Sequence, residues 1–332
     1  MTAAPICPAA AHRFLAADVG GTHVRMGLVE TCAQGNVRVL AHHSARCAAH
    51  ASLGQVLAAF AQSHGPVDAC IVATAGYLGP DGELVSSNLP WPVSVSALQQ
   101  ALSLQQVHVI NDFQALGYAC AQIDDHALLH LSGPAAAPRA PVLVIGPGTG
   151  FGAALWLPLA DGATVLASEA GQSALAVRGP RQRAVLAQLE ARFGHVSVEH
   201  ALSGPGLLNL YQALCTLDGH APEHTQPNAV SEAALGGADA LATEALALFC
   251  ELLGACAGDL AMTYGATGGV YLAGGILPQI SRFLADSRFA AAFCNKGVMT
   301  PVLTQVPVKL VEHGQLGIIG AAHWYLQQLP TR

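Results

Sequence analysis

Cationic side chains are what this sequence has least of. Its 332 residues hold 14 lysines and arginines against 21 acids, and the only lysines are Lys296 and Lys309. Neither stands in Gly-x-x-x-x-Gly-Lys-Ser/Thr or in Val-Ala-Ile-Lys, which excludes the two commonest lysine grips on a nucleotide phosphate. A formal net charge of -7 repels a polyanion, and no segment concentrates basic and aromatic residues as a nucleic-acid groove requires. The nine cysteines, at 7, 32, 47, 70, 120, 215, 250, 256 and 294, are odd in number and never spaced Cys-x-x-Cys. This argues against a paired-cysteine zinc site and a disulfide framework, and for buried thiols in a reducing cytoplasm. The segment up to His12 has no basic start followed by a long apolar run, so no signal peptide is expected. Long unbroken apolar runs are missing as well. The uncharged stretches 140–160 and 260–281 could span a bilayer by length, but Gly146, Pro147, Gly148, Gly150, Gly268, Gly269 and Gly274 interrupt them. Neither would survive as a lipid-exposed helix, so no membrane partner is expected.

What is present in quantity is apolar. Hydrophobic residues make up 52% of the chain and charged ones 11%, enough to bury a sizeable core and too apolar for a disordered protein. A chain of this length exceeds what one core usually supports. Two domains, or one split by an insertion, are expected, with a cleft between them.

Residues 14–29 read as a strand, a glycine turn at Gly20 and Gly21, and a second strand. Residues 142–157 repeat the plan around a Gly/Thr turn, which suggests two domains of one design. Between them, 52–62 reads as a helix, 68–75 as a buried strand and 107–110 as a strand followed by Asn111, Asp112 and a helix. Asn111 and Asp112 therefore stand at a strand's carboxyl end, where open α/β sheets bind ligands. The Pro/Ala-rich stretch 134–141 reads as a loop at or near a domain boundary. Beyond it, 180–193 is an amphipathic helix closed by Gly194, and 238–264 a long helix whose Glu244, Glu251 and Asp259 mark one wet face. Residues 269–276 read as a buried strand ending in a glycine pair, with a helix after Pro278. The chain closes on a turn and a helix over 314–328.

Several segments carry the residue types that chemistry needs. Asp18-Val19-Gly20-Gly21-Thr22 puts a carboxylate at a strand end, then backbone free to expose N–H groups, then a hydroxyl; such a turn forms an anion-binding nest or merely a tight hairpin. Gly146-Pro147-Gly148-Thr149-Gly150 with Gly152 offers a second phosphate-sized turn. Glu169 lies about 20 residues on, as a dinucleotide-binding fold would have it. The apolar stretch 153–157 ends at Pro158 and leaves no room for the helix that fold requires, which decides against it. Without lysines, backbone N–H groups, threonines and Mg²⁺ must neutralise bound phosphate, and Arg25 is the one cation near the first turn. Asn111-Asp112 suits an alcohol nucleophile, the carboxylate accepting the hydroxyl proton and the amide orienting a neighbouring hydroxyl; a helix cap is the plainer reading. Glu169 and Glu199 stand in Gly- or Ser-flanked segments, as acids pairing with vicinal sugar hydroxyls do, or as ordinary loop acids.

Taken in order, these segments resemble the bacterial glucokinase family of the hexokinase and actin-like superfamily. The resemblance rests on Asp18 to Thr22 with Arg25, Ser87-Asn88 and Trp91, Asn111-Asp112, Gly148-Thr149-Gly150, Glu169, Gly194-His195-Val196-Ser197 with Glu199, Leu202-Ser203-Gly204-Pro205-Gly206-Leu207, and Ala273-Gly274-Gly275-Ile276. It implies two actin-like (ribonuclease H-like) α/β domains with mixed sheets flanked by helices, residues 1–122 plus 315–332 forming the smaller and 123–314 the larger. It implies phosphorylation of glucose by ATP, with Asp112 as base on the 6-hydroxyl. Asn88, Asn111, Asp112, Glu169, Gln172 and Glu199 would bind the sugar. Gly20, Gly21, Thr22, Gly148, Thr149 and Gly150 would hold phosphates, Gly274 and Gly275 would lie near the adenosine, and Asp18 would position Mg²⁺ through water. It further implies a cytoplasmic homodimer serving glycolysis. Two positions depart from the family pattern: Gln172 stands where a sugar-binding histidine is usual, and His23 where an asparagine is. Gln172 leaves open a kinase of another hexose, or a sugar- and nucleotide-binding protein of weak catalysis.

Overall fold

Continuous apolar runs, not alternation, build the centre of the first sheet, because its middle strands are covered on both faces. In the computed structural model, which describes residues 12–31, 36–85, 89–120, 123, 127–136, 138–160, 162–311 and 315–329, the chain divides into two units, Met1–Gln122 with Gly314–Arg332, and Ile123–His313. In the first unit, β1 (Arg13–Val19), β2 (His23–Thr31) and β3 (Val37–Arg46) form an antiparallel meander, and β4 (Ala69–Thr74) pairs parallel to β1. A short ribbon of β5 (Tyr77–Leu78) and β6 (Leu84–Val85) precedes β7 (Gln106–Asn111), which adds parallel to β4. The order is β3-β2-β1-β4-β7.

Helices α1 (Leu53–His64) and α2 (Val95–Leu102) supply Leu53, Leu57, Phe60 and Leu98 to a core on one face, against Leu15, Met26, Cys70 and Val72. Ser52 and Ser94 cap these helices by accepting the N–H groups of Gln55 and Ala97. On the other face α3 (Asp112–Cys120) packs with α11 (Leu316–Gln328), the last helix of the chain, where Ile318, Ala321 and Tyr325 meet Phe14, Ile71 and Ala115.

The second unit repeats the first sheet's order. Strands β9 (Val142–Pro147), β10 (Phe151–Leu159) and β11 (Gly162–Ser168) form the meander, β12 (Gly269–Leu272) and β13 (Val308–Val311) add in parallel, and β8 (Leu128–Ser132) closes the edge antiparallel to β13. Its order is β11-β10-β9-β12-β13-β8, so each strand of the first sheet has a counterpart with the same sense. The residues after the second Gly/Thr turn thus form a strand, as the argument against a dinucleotide fold requires. The 134–141 loop joins β8 to β9 inside this unit and is no domain boundary, because β8 already belongs to the second sheet.

The helices are α4 (Gly179–Phe193), α5 (Gly204–Leu217), α6 (Pro227–Gly236), α7 (Ala240–Tyr264), α8 (Ser281–Asp286), α9 (Phe289–Cys294) and α10 (Thr300–Leu303). Past Pro278 the chain first makes a tight turn over Leu277–Ile280 and only then α8. Among the described residues α7 is the one helix long and apolar enough to cross a membrane, and it is the core helix of this unit: Leu246, Phe249, Leu253 and Ala257 are fully buried. Its wet-face acids are paired, Glu244 with Arg181 at 2.7 Å and Asp259 with Lys296 at 2.5 Å, the lysine side chain being 1% exposed.

Asp239 starts α7. Its Oδ1 accepts the N–H groups of Leu241 (2.8 Å) and Ala242 (3.0 Å), and its Oδ2 accepts the Tyr211 hydroxyl (2.9 Å). Burial opposes its charge, but the Ala242 N–H, the Tyr211 hydroxyl, the Leu241 N–H and nearby His224 outweigh it and hold the carboxyl below its usual range. Asp239→Ala is expected to cost roughly 1–2 kcal/mol at pH 7 in urea unfolding. Because the folded value is depressed, the wild-type advantage over Asp239→Asn is full above the unfolded carboxyl value. It is lost as pH falls through the lower folded one.

Candidate active site

Strand register decides which polar residues share an end of the first sheet. Val19 lies opposite Thr74, and Thr74 opposite Asn111, so β1, β4 and β7 finish level at their carboxyl ends. Asp18, the 20–22 turn, Asn111 and Asp112 are thereby gathered there. The buried Thr74 hydroxyl donates to Val19 O at 3.0 Å and ties two of these ends together. In the turn, Gly20 N–H donates to His23 O (3.0 Å), while Gly21 and Thr22 are exposed. His23, one of the two departures from the family pattern, closes this turn through its backbone carbonyl.

Cys47 and Gly317, which sequence reasoning did not connect to this turn, back it together with Arg25, which it did. Cys47 N–H donates to Thr22 O at 2.9 Å, and its buried thiol donates to Gly20 O at 3.3 Å. Arg25 reaches Asp18 Oδ2 at 3.1 Å. From α11, Gly317 backs onto the same aspartate so closely that a Cβ there would lie 2.6 Å from Asp18 Cβ. Burial raises the Asp18 carboxyl above its usual range, with Arg25 opposing the shift.

Asn111 and Asp112 do cap α3. Asn111 Oδ1 accepts Gln114 N–H at 3.1 Å and Asp112 Oδ1 accepts Phe113 N–H at 2.9 Å. The plainer reading is therefore true, and it leaves the Asn111 amide nitrogen for a ligand. Asn88 lies outside the described residues.

The second unit brings the other group together on its own scaffold. Gly148 N–H closes the 148–150 turn on Gly150 O (2.7 Å), and Gly148 O accepts the N–H of Gly204, the first residue of α5. Thr149, at the tip, is exposed. Ala273 N–H donates to Ile145 O at 2.8 Å, which seats Gly274, with φ of 100°, beside Gly146 and Pro147, while the position of a Cβ on Gly275 faces open space. Glu199 stands under the turn: Oε2 accepts Phe151 N–H at 2.8 Å, and Oε1 accepts Gln172 Nε2 at 3.3 Å. Glu169 is exposed, and its carbonyl accepts Gln172 N–H at 2.9 Å. Gln172 thus faces Glu199 as a partner.

Ser203 was assigned no role from sequence beyond its place in the family motif. It is 2% exposed, caps α5 by accepting Gly206 N–H and donates to Glu199 O at 2.8 Å. Its signature, a serine ahead of Gly-Pro, is a legible helix start. A cavity of about 930 Å³ elsewhere in this unit, lined by Arg178, Arg181, Glu251, Arg282 and Arg288 among others, contains none of these residues. Among the described residues no cluster of three or more His, Cys, Asp or Glu side chains forms a metal cage.

Two α/β units of one strand order, each with a Gly/Thr turn between paired strands, define the actin-like fold of the sugar kinases. The chain is similar over that whole fold to a crystal structure of glucokinase from an Antarctic psychrotroph, with a TM-score of 0.85 and 35% identity, covering 96% of this chain and 99% of that one. The glucokinase family model matches residues 15–328. A glucokinase-like protein of Xylella fastidiosa (strain 9a5c) is 48% identical over 321 residues, 96% of each chain. A glucokinase of Photorhabdus laumondii is 37% identical over 317 residues, 95% of this chain and 97% of its own. The chain belongs to the glucokinase family, enzymes that phosphorylate a hexose with ATP.

The raised Asp18 carboxyl gives a signed test. The fold favours its protonated form, so wild type gains stability relative to Asp18→Asn as pH falls from neutral through the raised value toward the unfolded one. At pH 7 the variant is expected to melt no lower than wild type while losing phosphotransfer. Paired thermal scans from pH 7 to 4 and an activity assay check both.

Proposed function

We propose that this chain transfers the γ-phosphoryl group of ATP to the 6-hydroxyl of glucose, with Asp112 taking the hydroxyl proton. The observation that carries the reading is the level finish of β1, β4 and β7, which brings Asp112 and the 20–22 turn to one end of one sheet. Asp112 opens α3, and the helix N-terminus favours a negative charge there. As phosphate arrives, its carboxylate accepts the proton of the attacking hydroxyl, and the proton stays on Asp112 until product leaves. The Asn111 amide nitrogen donates to a neighbouring hydroxyl, and Asn88 adds a contact. Glu169 and Glu199 each accept from sugar hydroxyls, whose vicinal spacing suits a two-oxygen acceptor.

Backbone N–H groups of the 20–22 and 148–150 turns, with the Thr22 and Thr149 hydroxyls, hold the phosphates, and Gly274 and Gly275 border the adenosine. The residues near the first turn fit Mg²⁺: the single carboxylate of Asp18 would position it through water, which suits an ion that favours water and substrate phosphates over an all-protein cage. When bound there it neutralises charge on the phosphates that a lysine-free site leaves exposed. Arg25 holds Asp18 in place. We place the enzyme in the cytoplasm as a homodimer that feeds glycolysis.

Gln172 favours keeping a second reading, a kinase of another hexose, because an amide that already serves Glu199 has fewer groups for the sugar. A coupled assay across glucose, mannose, fructose and N-acetylated hexoses, with ATP and polyphosphate as donors, separates the two: glucose with ATP is expected to give the highest kcat/KM. Asp112→Asn is expected to lower kcat roughly 10²–10⁴-fold with glucose binding retained. Undiminished turnover in that variant would remove Asp112 from its role.

A further inference from the structure

The two oxygens of Glu199 are held by different parts of the larger unit. Oε2 accepts the Phe151 N–H at 2.8 Å, the first backbone donor beyond the 148–150 turn. The same oxygen lies 2.5 Å from where a Cβ on Gly150 would stand, so the carboxylate fills the space that this glycine leaves empty. Oε1 is held by the Gln172 amide at 3.3 Å. The backbone on either side is fixed as well: Glu199 N–H donates to Gly171 O at 2.9 Å, and Glu199 O accepts the Ser203 hydroxyl at 2.8 Å. Only the side chain is left to move.

A carboxylate in this position does two things to an incoming phosphate. It occupies the Phe151 N–H, and it sets a negative charge against a turn whose ligand is an anion. No lysine in the turn offsets that charge. Sugar hydroxyls are donors, and a carboxylate that turns to accept them releases the N–H and withdraws its charge from Gly150. We infer that Glu199 is a gate between the two substrates: without sugar it occupies the phosphate turn, and with sugar it leaves that turn to the nucleotide. Gln172 is the positioning residue that steadies the carboxylate. The inference rests on reading Glu199 as a sugar ligand and the 148–150 turn as a phosphate site. It adds an order to them, in which sugar prepares the site for ATP and ATP hydrolysis without sugar stays low.

Linkage makes the effect reciprocal. The test is calorimetry on the full chain with a non-hydrolysable ATP analogue and Mg²⁺, with and without glucose, and with glucose, with and without the analogue. In wild type, each ligand is expected to tighten the other at least about fivefold. Glu199→Gln removes the charge. It is expected to weaken glucose, to tighten the analogue in the absence of glucose, and to bring the coupling factor near one. A residue serving only as structure would weaken both ligands. Gly150→Ala gives a second reading, because its Cβ meets the end of a flexible side chain and not backbone, so the fold is kept while the carboxylate is displaced. Its coupling factor is also expected near one. Wild type with no coupling overturns the gate, as does a Glu199→Gln chain whose analogue affinity without sugar is unchanged or lower; in both cases weakened glucose leaves the site reading standing. Unchanged glucose affinity in Glu199→Gln removes Glu199 from the sugar site, and the gate with it.

Discussion

Parallel pairing in register governs what each unit can present. In the first sheet, Val19, Thr74 and Asn111 lie side by side across three strands; in the second, Ile145, Leu272 and Leu310 do the same. Because β1, β4 and β7 stop level, the polar residues that follow them emerge at one end of the first sheet. A shift of one residue in either pairing would exchange the side-chain sets that β4 or β9 present to the two packed faces of its sheet and separate the turn from the acids that accompany it. Packing on both faces holds that register, with Leu15 and Ala17 facing one core and Phe14 and Ala16 the other.

The scarcity of cations shapes the chemistry placed on this frame. Arg25, near the first turn, is committed to Asp18, and the second turn has a carboxylate pressed against it. On the proposed reading, phosphate is left to backbone N–H groups, threonine hydroxyls and a metal ion. Such a grip depends on turn shape more than on charge, which is why both turns are braced from outside: Cys47 beneath the first, Gly204 and Glu199 beside the second.

Much of the frame was legible in the sequence, because apolar runs bounded by Gly and Pro announce strands whatever they pair with. Both hairpins, β4, β7 and the helices α1, α4, α7 and α11 lie where periodicity puts them, to within a few residues. The 134–141 loop misled, since Pro/Ala composition marks a loop but not the side of a domain boundary on which it falls. Stretch 277–286 opens as a tight turn over Leu277–Ile280 before α8, a division that apolar periodicity does not show. At the site, residue types were legible and contacts were not. Nothing local announces that Cys47 lies under Gly20, 27 residues away, or that Glu199 reaches Phe151 from 48 residues on. Arg25 could be named as a nearby cation, while its pairing with Asp18 followed only from the β1–β2 register, in which the two residues are opposite. The Asn111 cap shows how a plain structural role and a proposed catalytic position can share one residue pair.

The claim on which the account turns is that two lysine-free turns, one per unit, hold the phosphates of one ATP while Asp112 faces the sugar. A crystal structure with glucose and a non-hydrolysable ATP analogue tests it most directly. The account predicts β- and γ-phosphate oxygens within about 3 Å of backbone N–H groups in both the 20–22 and 148–150 turns. It also predicts the glucose 6-hydroxyl within hydrogen-bond reach of the Asp112 carboxylate. Phosphates bound away from either turn, or a 6-hydroxyl out of reach of Asp112, would contradict it.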